Sequence, residues 1–436
     1  MTQRLESFAP VAAPTSECAE SVTLGRNFAW TLAGNVSYAA CQWGILIAIA
    51  KLGTPTMLGE FALGLAVSAP VFMFTTLQLR AVLATDTRDE YRLGQYLAVR
   101  VLGTVIGLIA IVGFIAVAGF QRETAAIILL VSLAKAAETF SDIIYGLWQK
   151  HEHFDRIAVA LTGRGIGSLA AVVAVLYFTR SIAWSIAAMA LVWILWLLTY
   201  ERAGAKHVLA RVSPKDHLRP EWQWDKCKNL AVLALPLGIV LLLLSLNANI
   251  PRYFVERYLG EAALGYFAAM AYVFVVGNTV MAAIGQSALP RLARHFNSDP
   301  PEFLRLLATI ALIGAAVGIA GIGLVFFWGP MILRLLYRAD YANYAAVFTW
   351  LMTAAAVTYV ASMLGYGMMA ARVFRAQVPL FLISTAITAL ACWVFIPSSG
   401  LMGSAFAVLV GTIVPCVGGS YIIFAALHSR HSGTGV

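Results

Sequence analysis

The chain has 436 residues, of which 61% are hydrophobic and only 12% are charged, and its mean hydropathy is +0.81. Soluble domains carry about 25% charged residues, so this composition excludes a soluble protein. The apolar runs are continuous rather than alternating, which excludes a transmembrane β-barrel. The composition therefore predicts an all-α polytopic membrane protein.

Twelve apolar segments, six on each side of a hydrophilic stretch at 204–228, are long enough to cross a bilayer. At about 1.5 Å per residue, about 20 helical residues cross a hydrocarbon core of about 30 Å. This pattern predicts a tail at 1–27, a first half at 28–202, a loop at 203–228, a second half at 229–427 and a tail at 428–436. The predicted spans are 28–50, 57–79, 97–119, 124–147, 158–178, 182–200, 229–250, 262–284, 304–328, 344–366, 376–396 and 402–427.

The net charge of +9 is unevenly distributed between the two sides of the membrane. When the loops are assigned to alternating sides, most of the 30 Lys and Arg residues fall on the side of the amino terminus. This positive-inside pattern predicts that both termini are cytoplasmic. The basic surplus is expected to set topology and to contact anionic lipid headgroups, not nucleic acid.

The two halves share a short repeat. Leu58-Gly59-Glu60-Phe61-Ala62 begins the second span, and Leu264-Gly265-Tyr266-Phe267-Ala268 begins the eighth. Six spans in each half is an even number, so both halves have the same topology. The expected arrangement is two six-helix lobes related by a pseudo-two-fold axis along the membrane normal, with a V-shaped central cleft.

The fourth span contains three charged residues on one helix face, Lys135, Glu138 and Asp142, because they are spaced by three and four residues. Arg164 in the fifth span lies at a depth where it can meet Asp142 or Glu138. A charge at the bilayer centre costs about 2.5–3.5 kcal/mol, so such groups face a cavity or each other. Two compatible interpretations remain open: an ion-pair network that joins the two spans, and a cationic lining of the cleft.

The predicted end of the seventh span is also polar, with Asn247, Asn249 and Arg252. They are either an interfacial cap with a snorkelling arginine or contacts to phosphate and sugar. Asn35 is the comparable polar group of the first span. Arg80 and Arg291 end the second and eighth spans at equivalent places, where each is either a topology anchor or part of the cleft.

Other apparent motifs carry no chemistry. His151-Glu152-His153 lies in a tight turn and lacks the spacing of zinc proteases, so no metal site is predicted. No Gly-rich loop precedes a Lys-Ser or Lys-Thr pair, so ATP hydrolysis is not expected.

Three groups of motifs together point to a known family. They are Leu58-Gly59-Glu60-Phe61-Ala62 with Leu77-Gln78-Leu79-Arg80 and Thr85-Asp86; the segment 138–142 with Tyr145-Gly146-Leu147-Trp148-Gln149 and Phe154-Asp155; and Asn249-Ile250-Pro251-Arg252-Tyr253 with Leu264-Gly265-Tyr266-Phe267 and Leu289-Pro290-Arg291-Leu292-Ala293. The chain resembles the polysaccharide-biosynthesis flippases for O-antigen and exopolysaccharide units, within the multidrug/oligosaccharidyl-lipid/polysaccharide superfamily.

The resemblance implies two lobes that open alternately to each side of a bacterial inner membrane. It implies a polyprenyl-diphosphate-linked oligosaccharide as substrate, moved from the cytoplasmic to the periplasmic leaflet, and a polysaccharide polymerase or export machinery as partner. No cofactor is expected. The candidate energy sources are an H⁺ or Na⁺ gradient, coupled through Glu138 or Asp142, and the membrane potential. The implied diphosphate ligands are Lys135, Arg164, Arg252, Arg80 and Arg291, since arginine offers bidentate phosphate contacts and lysine a compact charge.

Other functions are weighed against this one. A cation- or proton-coupled multidrug antiporter of the same superfamily is the main alternative, although residues 28–50 contain no Asp or Glu. A membrane enzyme such as a polysaccharide polymerase is disfavoured because the outer loops are too short for catalytic groups. A purely structural role is the remaining alternative.

Overall fold

A computed structural model describes residues 16–86, 89–212 and 217–431, and every regular element in these ranges is a helix. A π-helical turn at Leu197–Glu201 joins α7 to α8, and a 3₁₀ helix at Ala339–Tyr344 precedes α11. The all-α prediction is therefore confirmed. The helices are α1 Ser16–Leu52, α2 Pro55–Thr75, α3 Leu79–Thr85, α4 Leu93–Ala118, α5 Arg122–Lys150, α6 Phe154–Thr179, α7 Ile182–Trp196, α8 Arg202–Val212, α9 Trp224–Ser298, α10 Pro300–Leu336, α11 Ala345–Ala370 and α12 Phe374–His431.

Two helices are interrupted by glycine. Helix α9 is broken at Gly260, whose φ of 84° and ψ of 175° are not helical, and α12 is broken at Gly400, with φ 58° and ψ −138°. A positive φ favours glycine because it has no Cβ. A straight helix of the length of α9 would extend about 110 Å, far beyond the membrane thickness, so the chain has to turn at such a break.

Within the described ranges, nine helical segments are long and apolar enough to cross a membrane. The chain is thus a multi-pass membrane protein. Two of the nine segments, of 73 and 53 residues, contain the glycine breaks and are each long enough to cross twice. Helix α5, which carries three of the predicted site residues, is not among the nine. The count of twelve spans stays a prediction, which requires that α5 cross once and that both broken helices cross twice.

Helix packing separates the two halves of the sequence. In the first half α1 packs on α6, α6 on α7, and α5 on α2, α4 and α7; in the second half α9, α10, α11 and α12 pack on one another. The principal contact between the halves is that of α2 with α9. A cleft between the halves must therefore lie alongside this pair of helices.

Glycines allow α2 and α9 to approach closely. A Cβ atom on Gly59 would overlap the carbonyl oxygen of Glu261, and a Cβ atom on Gly265 would overlap that of Pro55. Gly59 and Gly265 are equivalent positions of the sequence repeat, and so are Pro55 and Glu261. The two contacts are thus exchanged by a local two-fold axis, as in a self-complementary interface.

Further contacts join the halves at the same end of the molecule, which we call the turn end and which carries Gly53, Gly260 and Arg338. Arg338 Nη1 donates to the Gly53 carbonyl oxygen at 3.1 Å, and Trp43 Nε1 donates to the Tyr337 hydroxyl at 3.3 Å. The two halves are therefore held together at the turn end.

The opposite end, which we call the basic end, carries Asp86, residues 89–92, the turn at 151–153 and the segment at 217–223. The carboxylate of Asp86 accepts hydrogen bonds from the backbone N–H of Glu90 at 3.0 Å and of Tyr91 at 3.2 Å. Burial alone would raise the pKa of Asp86, but these donors and the charge of Lys150 lower it. Asp86 therefore accepts these hydrogen bonds as an ionised carboxylate.

Helix α1 begins at Ser16, but its membrane-spanning part begins at Ala29, one residue from the predicted start of the first span. Residues 1–15 lie outside the described ranges. The hydrophilic stretch is not one loop, because 202–212 form α8 and α9 begins at Trp224; Lys215 and Asp216 also lie outside the described ranges. The segment 291–303 is no loop either, since only Asp299 separates α9 from α10, where it caps the N–H of Glu302 at 3.2 Å.

The predicted end of the seventh span at residue 250 was also wrong. Helix α9 continues through Pro251 to the break at Gly260. Membrane helices tolerate proline because neighbouring polar groups satisfy the freed backbone. Asn249 and Arg252 consequently lie inside the helix, about two turns before the break, and do not form a terminal cap.

We expect Gly59→Ala and Gly265→Ala to destabilise the protein by about 1–3 kcal/mol each, because overpacking forces the two backbones apart. The matched control is Gly113→Ala in α4, whose Cβ would have no atom within 4 Å. Melting of the purified variants in detergent measures the difference. If Gly59→Ala melts like the Gly113→Ala control, the glycine contact does not hold the halves together.

Candidate functional site

A cavity of about 590 Å³, which we call the cleft, is lined by α2, α3 and α5 of the first half and by Leu241 of α9 in the second half. Its charged lining consists of Arg80, Lys135, Glu138 and Asp142. The three residues of α5 therefore face one cavity, as their spacing predicted. The lining extends along α5 from Lys135 to Gln149, about 21 Å, and so runs from mid-helix to the basic end.

The Glu138 carboxylate is the centre of this cavity wall. Lys135 Nζ donates to Oε2 at 2.7 Å, while Arg164 Nη2 at 3.2 Å and the Tyr38 hydroxyl at 3.1 Å donate to Oε1. One carboxylate thus joins α1, α5 and α6. Of the two partners considered for Arg164, Glu138 is the one it meets, and Lys135 pairs with the same carboxylate.

Arg164 is deeply buried, with a side chain only 2% exposed. Its guanidinium lies 4.8 Å from the ring centroid of Trp193 and 5.0 Å from that of Tyr38. Trp193 is oriented in turn by donating its indole N–H to Ser168 Oγ at 2.7 Å. Desolvated cation–π contacts are worth about 2 kcal/mol or more, so this aromatic cage supports the charge that Glu138 neutralises.

The Asp142 carboxylate forms a second pair with arginines. Arg100 Nη2 lies 3.2 Å from Oδ2, and Arg80 Nη1 lies 3.6 Å from Oδ1. The Arg100 side chain is 1% exposed, whereas that of Arg80 is 35% exposed and faces the cavity. Asp142 therefore connects a buried cation in α4 to an accessible one in α3.

Arg100 was not predicted as a site residue, although it lies in the first third of α4 and within the predicted third span. The sequence contains a signal one turn further on, because Thr104 shares a helix face with Arg100. In the structure, the Thr104 hydroxyl lies 3.1 Å from the Thr139 hydroxyl of α5. Two polar residues spaced by four in an apolar span indicate a buried polar contact.

Glu201 was missed as well, because the predicted sixth span stops one residue before it. It is fully buried in the π-helical turn, and Tyr145 of α5 donates its hydroxyl to Oε1 at 2.7 Å. Four cations and three carboxylates are thus gathered in the first half: Arg80, Arg100, Lys135 and Arg164 against Glu138, Asp142 and Glu201. The cluster has a net charge of +1 when all are ionised.

The second half contains a separate cavity of about 430 Å³ between α9, α11 and α12. Its one charged lining residue is Arg252, whose Nη1 donates to Asn249 Oδ1 at 2.8 Å. Asn247 also lines it, and donates to Ser384 Oγ at 2.7 Å. No carboxylate in the described part of the chain pairs with Arg252, so its charge is not neutralised by a neighbour.

Two predicted site residues are not brought to either cavity. Asn35 is exposed on α1, and Arg291 is exposed on the part of α9 that approaches the basic end. The eight neutral or cationic candidates are therefore divided: Arg80 and Lys135 line the cleft, Arg164 supports it from behind, Arg252, Asn247 and Asn249 belong to the second cavity, and Asn35 and Arg291 lie outside both.

A model of a polysaccharide biosynthesis protein family matches residues 48–314, more than half of the chain. The chain belongs to this polysaccharide biosynthesis protein family. The capsular polysaccharide biosynthesis protein CapF of Staphylococcus aureus is 26% identical to it over 401 residues, which cover 92% of this chain and 98% of CapF.

Solved structures share the fold of this family member. The lipid II flippase MurJ in an inward closed conformation matches with a TM-score of 0.72 at 12% identity, covering 92% of this chain and 89% of MurJ. An inward-facing multidrug resistance transporter of the MATE family, in the MOP superfamily, matches with a TM-score of 0.63 at 14% identity, covering 92% and 95%. The polysaccharide-biosynthesis family predicted from the motifs is confirmed, and the chain has the fold of these transporter structures.

We expect Glu138→Gln to destabilise the protein by about 3–5 kcal/mol, because it leaves the buried Arg164 charge without its partner. Adding Arg164→Gln should recover part of the loss, since the uncompensated charge is then gone. Membrane abundance and melting in detergent are the measurements.

The matched control for this pair is Glu302→Gln, which breaks an exposed pair with Arg305 whose side chains are 39% and 78% exposed. Exposed pairs contribute about 0–1 kcal/mol, so this variant should melt like the wild type. Equal stability of Glu138→Gln and Glu302→Gln would contradict a structural role for the Glu138 network.

Proposed function

We propose that the protein is a flippase that moves a polyprenyl-diphosphate-linked oligosaccharide from the cytoplasmic to the periplasmic leaflet for surface polysaccharide synthesis. The observation that carries this proposal is that two accessible cations, Arg80 and Lys135, line the cleft, within a cluster of seven ionisable groups whose charges sum to +1 when all are ionised. An anionic diphosphate requires such cations, and charges interact far more strongly in a low-dielectric cleft than in water.

Membership of the polysaccharide biosynthesis family supports the substrate class, and the MurJ fold supports transport of a lipid-linked sugar. The cleft offers Arg80 and Lys135, whose side chains are 35% and 27% exposed, to such a substrate. The fully buried Arg100 and Arg164 act through the two carboxylates that they share with these accessible cations. They orient the lining and do not contact substrate themselves.

Alternating access is supported by the way in which the halves meet. The turn end is closed by the α2–α9 glycine contact and by hydrogen bonds from Arg338 and Trp43, while the cleft extends to the basic end. If the basic end is cytoplasmic, as the charge distribution predicts, the cleft faces the leaflet that contains the newly made lipid-linked unit. Transport then requires the turn-end contacts to separate.

Multidrug antiport is the competing function, since MATE transporters share the fold. A cationic drug would need an uncompensated carboxylate, whereas each carboxylate lining the cleft is paired with arginine or lysine. The cleft lining therefore offers a cationic drug no unpaired carboxylate, which disfavours the antiporter.

The deciding experiment is deletion of the gene, followed by analysis of cell-surface polysaccharide and of lipid-linked intermediates. The proposed flippase predicts loss of surface polymer and accumulation of lipid-linked units on the cytoplasmic leaflet. Normal polysaccharide together with increased drug sensitivity would instead support the antiporter.

Arg252→Gln should abolish or strongly reduce surface polysaccharide while protein abundance stays normal. Because no carboxylate in the described ranges pairs with Arg252, its replacement leaves no orphaned charge. A charge-assisted hydrogen bond is worth about 1.5–3 kcal/mol, so transport should fall by at least about tenfold. Quantified surface polymer in the complemented deletion strain is the measurement.

The control for this variant is Lys226→Gln, which removes an exposed charge at the start of α9. It should restore full polysaccharide. Wild-type polysaccharide in Arg252→Gln cells would remove the second-half cavity from the transport path.

A further inference from the structure

A third cavity, lined by basic residues, lies at the basic end, outside both the cleft and the cavity of the second half. It has a volume of about 560 Å³ and is formed by one face of α8 together with the segment 217–219. Four of its lining residues are basic: Arg202, Lys206, His217 and Arg219. Among the described residues, no carboxylate lines it and no ion pair involves these four side chains.

The position of α8 fixes the depth of this cavity. Helices α7 and α8 and the π-helical turn between them form one continuous helical segment of 31 residues, Ile182–Val212. Such a segment is about 46 Å long, longer than the hydrocarbon core of about 30 Å. Arg202 lies about 30 Å from Ile182, so the basic cavity begins where the acyl chains end and lipid phosphates are found.

Helix α8 is held in place by its apolar face. Gly204, Ala205, Val208 and Leu209 are buried, and a Cβ on Gly204 would touch the Trp148 ring of α5. The cations on its other face are therefore displayed by an anchored helix. They are exposed to solvent and free to meet a ligand.

Two exposed aromatic side chains lie shortly after the cavity in the sequence. Trp222 and Trp224 follow it in sequence, are 49% and 67% exposed, and have ring centroids 6.1 Å apart. Exposed tryptophans are typical of the membrane–water interface, because the indole has an apolar body and a polar N–H. Their position agrees with the depth given by the helix length.

We propose that this cavity is a binding site for the phosphate headgroup of an anionic phospholipid in the leaflet at the basic end. Arginine and lysine provide charge-assisted hydrogen bonds to phosphate oxygens, and the depth of the cavity matches that of the headgroups. The cavity shares no lining residue with the cleft, which is formed by α2, α3, α5 and α9. This separation favours a bulk lipid over the transported molecule and makes the inference independent of the proposed flippase activity.

The test uses the full-length protein, purified in neutral detergent. Binding of phosphatidylglycerol is measured by native mass spectrometry and by the rise in melting temperature. The variant is Lys206→Gln with Arg219→Gln, and the matched control is Lys226→Gln with Lys228→Gln, which removes the same charge from exposed sites outside the cavity. Phosphatidylcholine, inorganic phosphate and a polyprenyl diphosphate are the comparison ligands.

We expect the cavity variant to bind phosphatidylglycerol about thirtyfold more weakly than wild type, because each basic residue contributes about 1 kcal/mol to the attraction of an anionic headgroup. The control should bind like wild type, and phosphatidylcholine should bind weakly to all forms.

Three results would overturn the proposal. Equal weakening in the control would mean that diffuse surface charge, and not the cavity, attracts the lipid. Inorganic phosphate as effective as phosphatidylglycerol would indicate a site for a free anion. Displacement of phosphatidylglycerol from the cavity by equimolar polyprenyl diphosphate would assign the cavity to the substrate.

Discussion

The structure of the first half depends on the neutralisation of buried arginines inside a membrane. Arg164 and Arg100 have almost no exposed surface, so each needs a carboxylate, and α5 supplies both carboxylates on one face. Burying an unpaired charge costs several kcal/mol. The ion pairs and hydrogen bonds to these two carboxylates therefore hold α1, α4 and α6 against this face of α5. The same face borders the cleft, so the groups that stabilise the half also determine the charge of the cavity.

The two halves differ in how their charged side chains inside the membrane are compensated. In the first half, acidic and basic groups largely compensate one another. In the second half, Arg252 has only the amide oxygen of Asn249 as a described partner, and its cavity is otherwise neutral. An anion that enters from the cleft would therefore gain most from Arg252, because that cation is not already engaged by a carboxylate.

The sequence repeat corresponds in the structure to a local two-fold axis that relates Gly59 to Gly265. Each glycine lets the partner helix approach where any larger residue would overlap backbone, and the equivalence of the two positions keeps the contact symmetric. Leu58 and Phe61 of α2 and Leu264 and Phe267 of α9 are buried in one hydrophobic cluster, so the two halves also share a core beside this contact.

The sequence alone determined the membrane class, the helical fold and the family. These depend on composition, on the length of apolar runs and on local motifs, which are all readable along the chain. The common face of Lys135, Glu138 and Asp142 was also predictable, because helix periodicity fixes it. Tertiary structure alone decided which partner each charge has: Arg100 meets Asp142 across 42 residues, and Glu201 meets Tyr145 across 56. It also decided that Asn35 and Arg291 stay outside both cavities, since the sequence gives a side chain's depth in the membrane but not the direction in which its helix is turned.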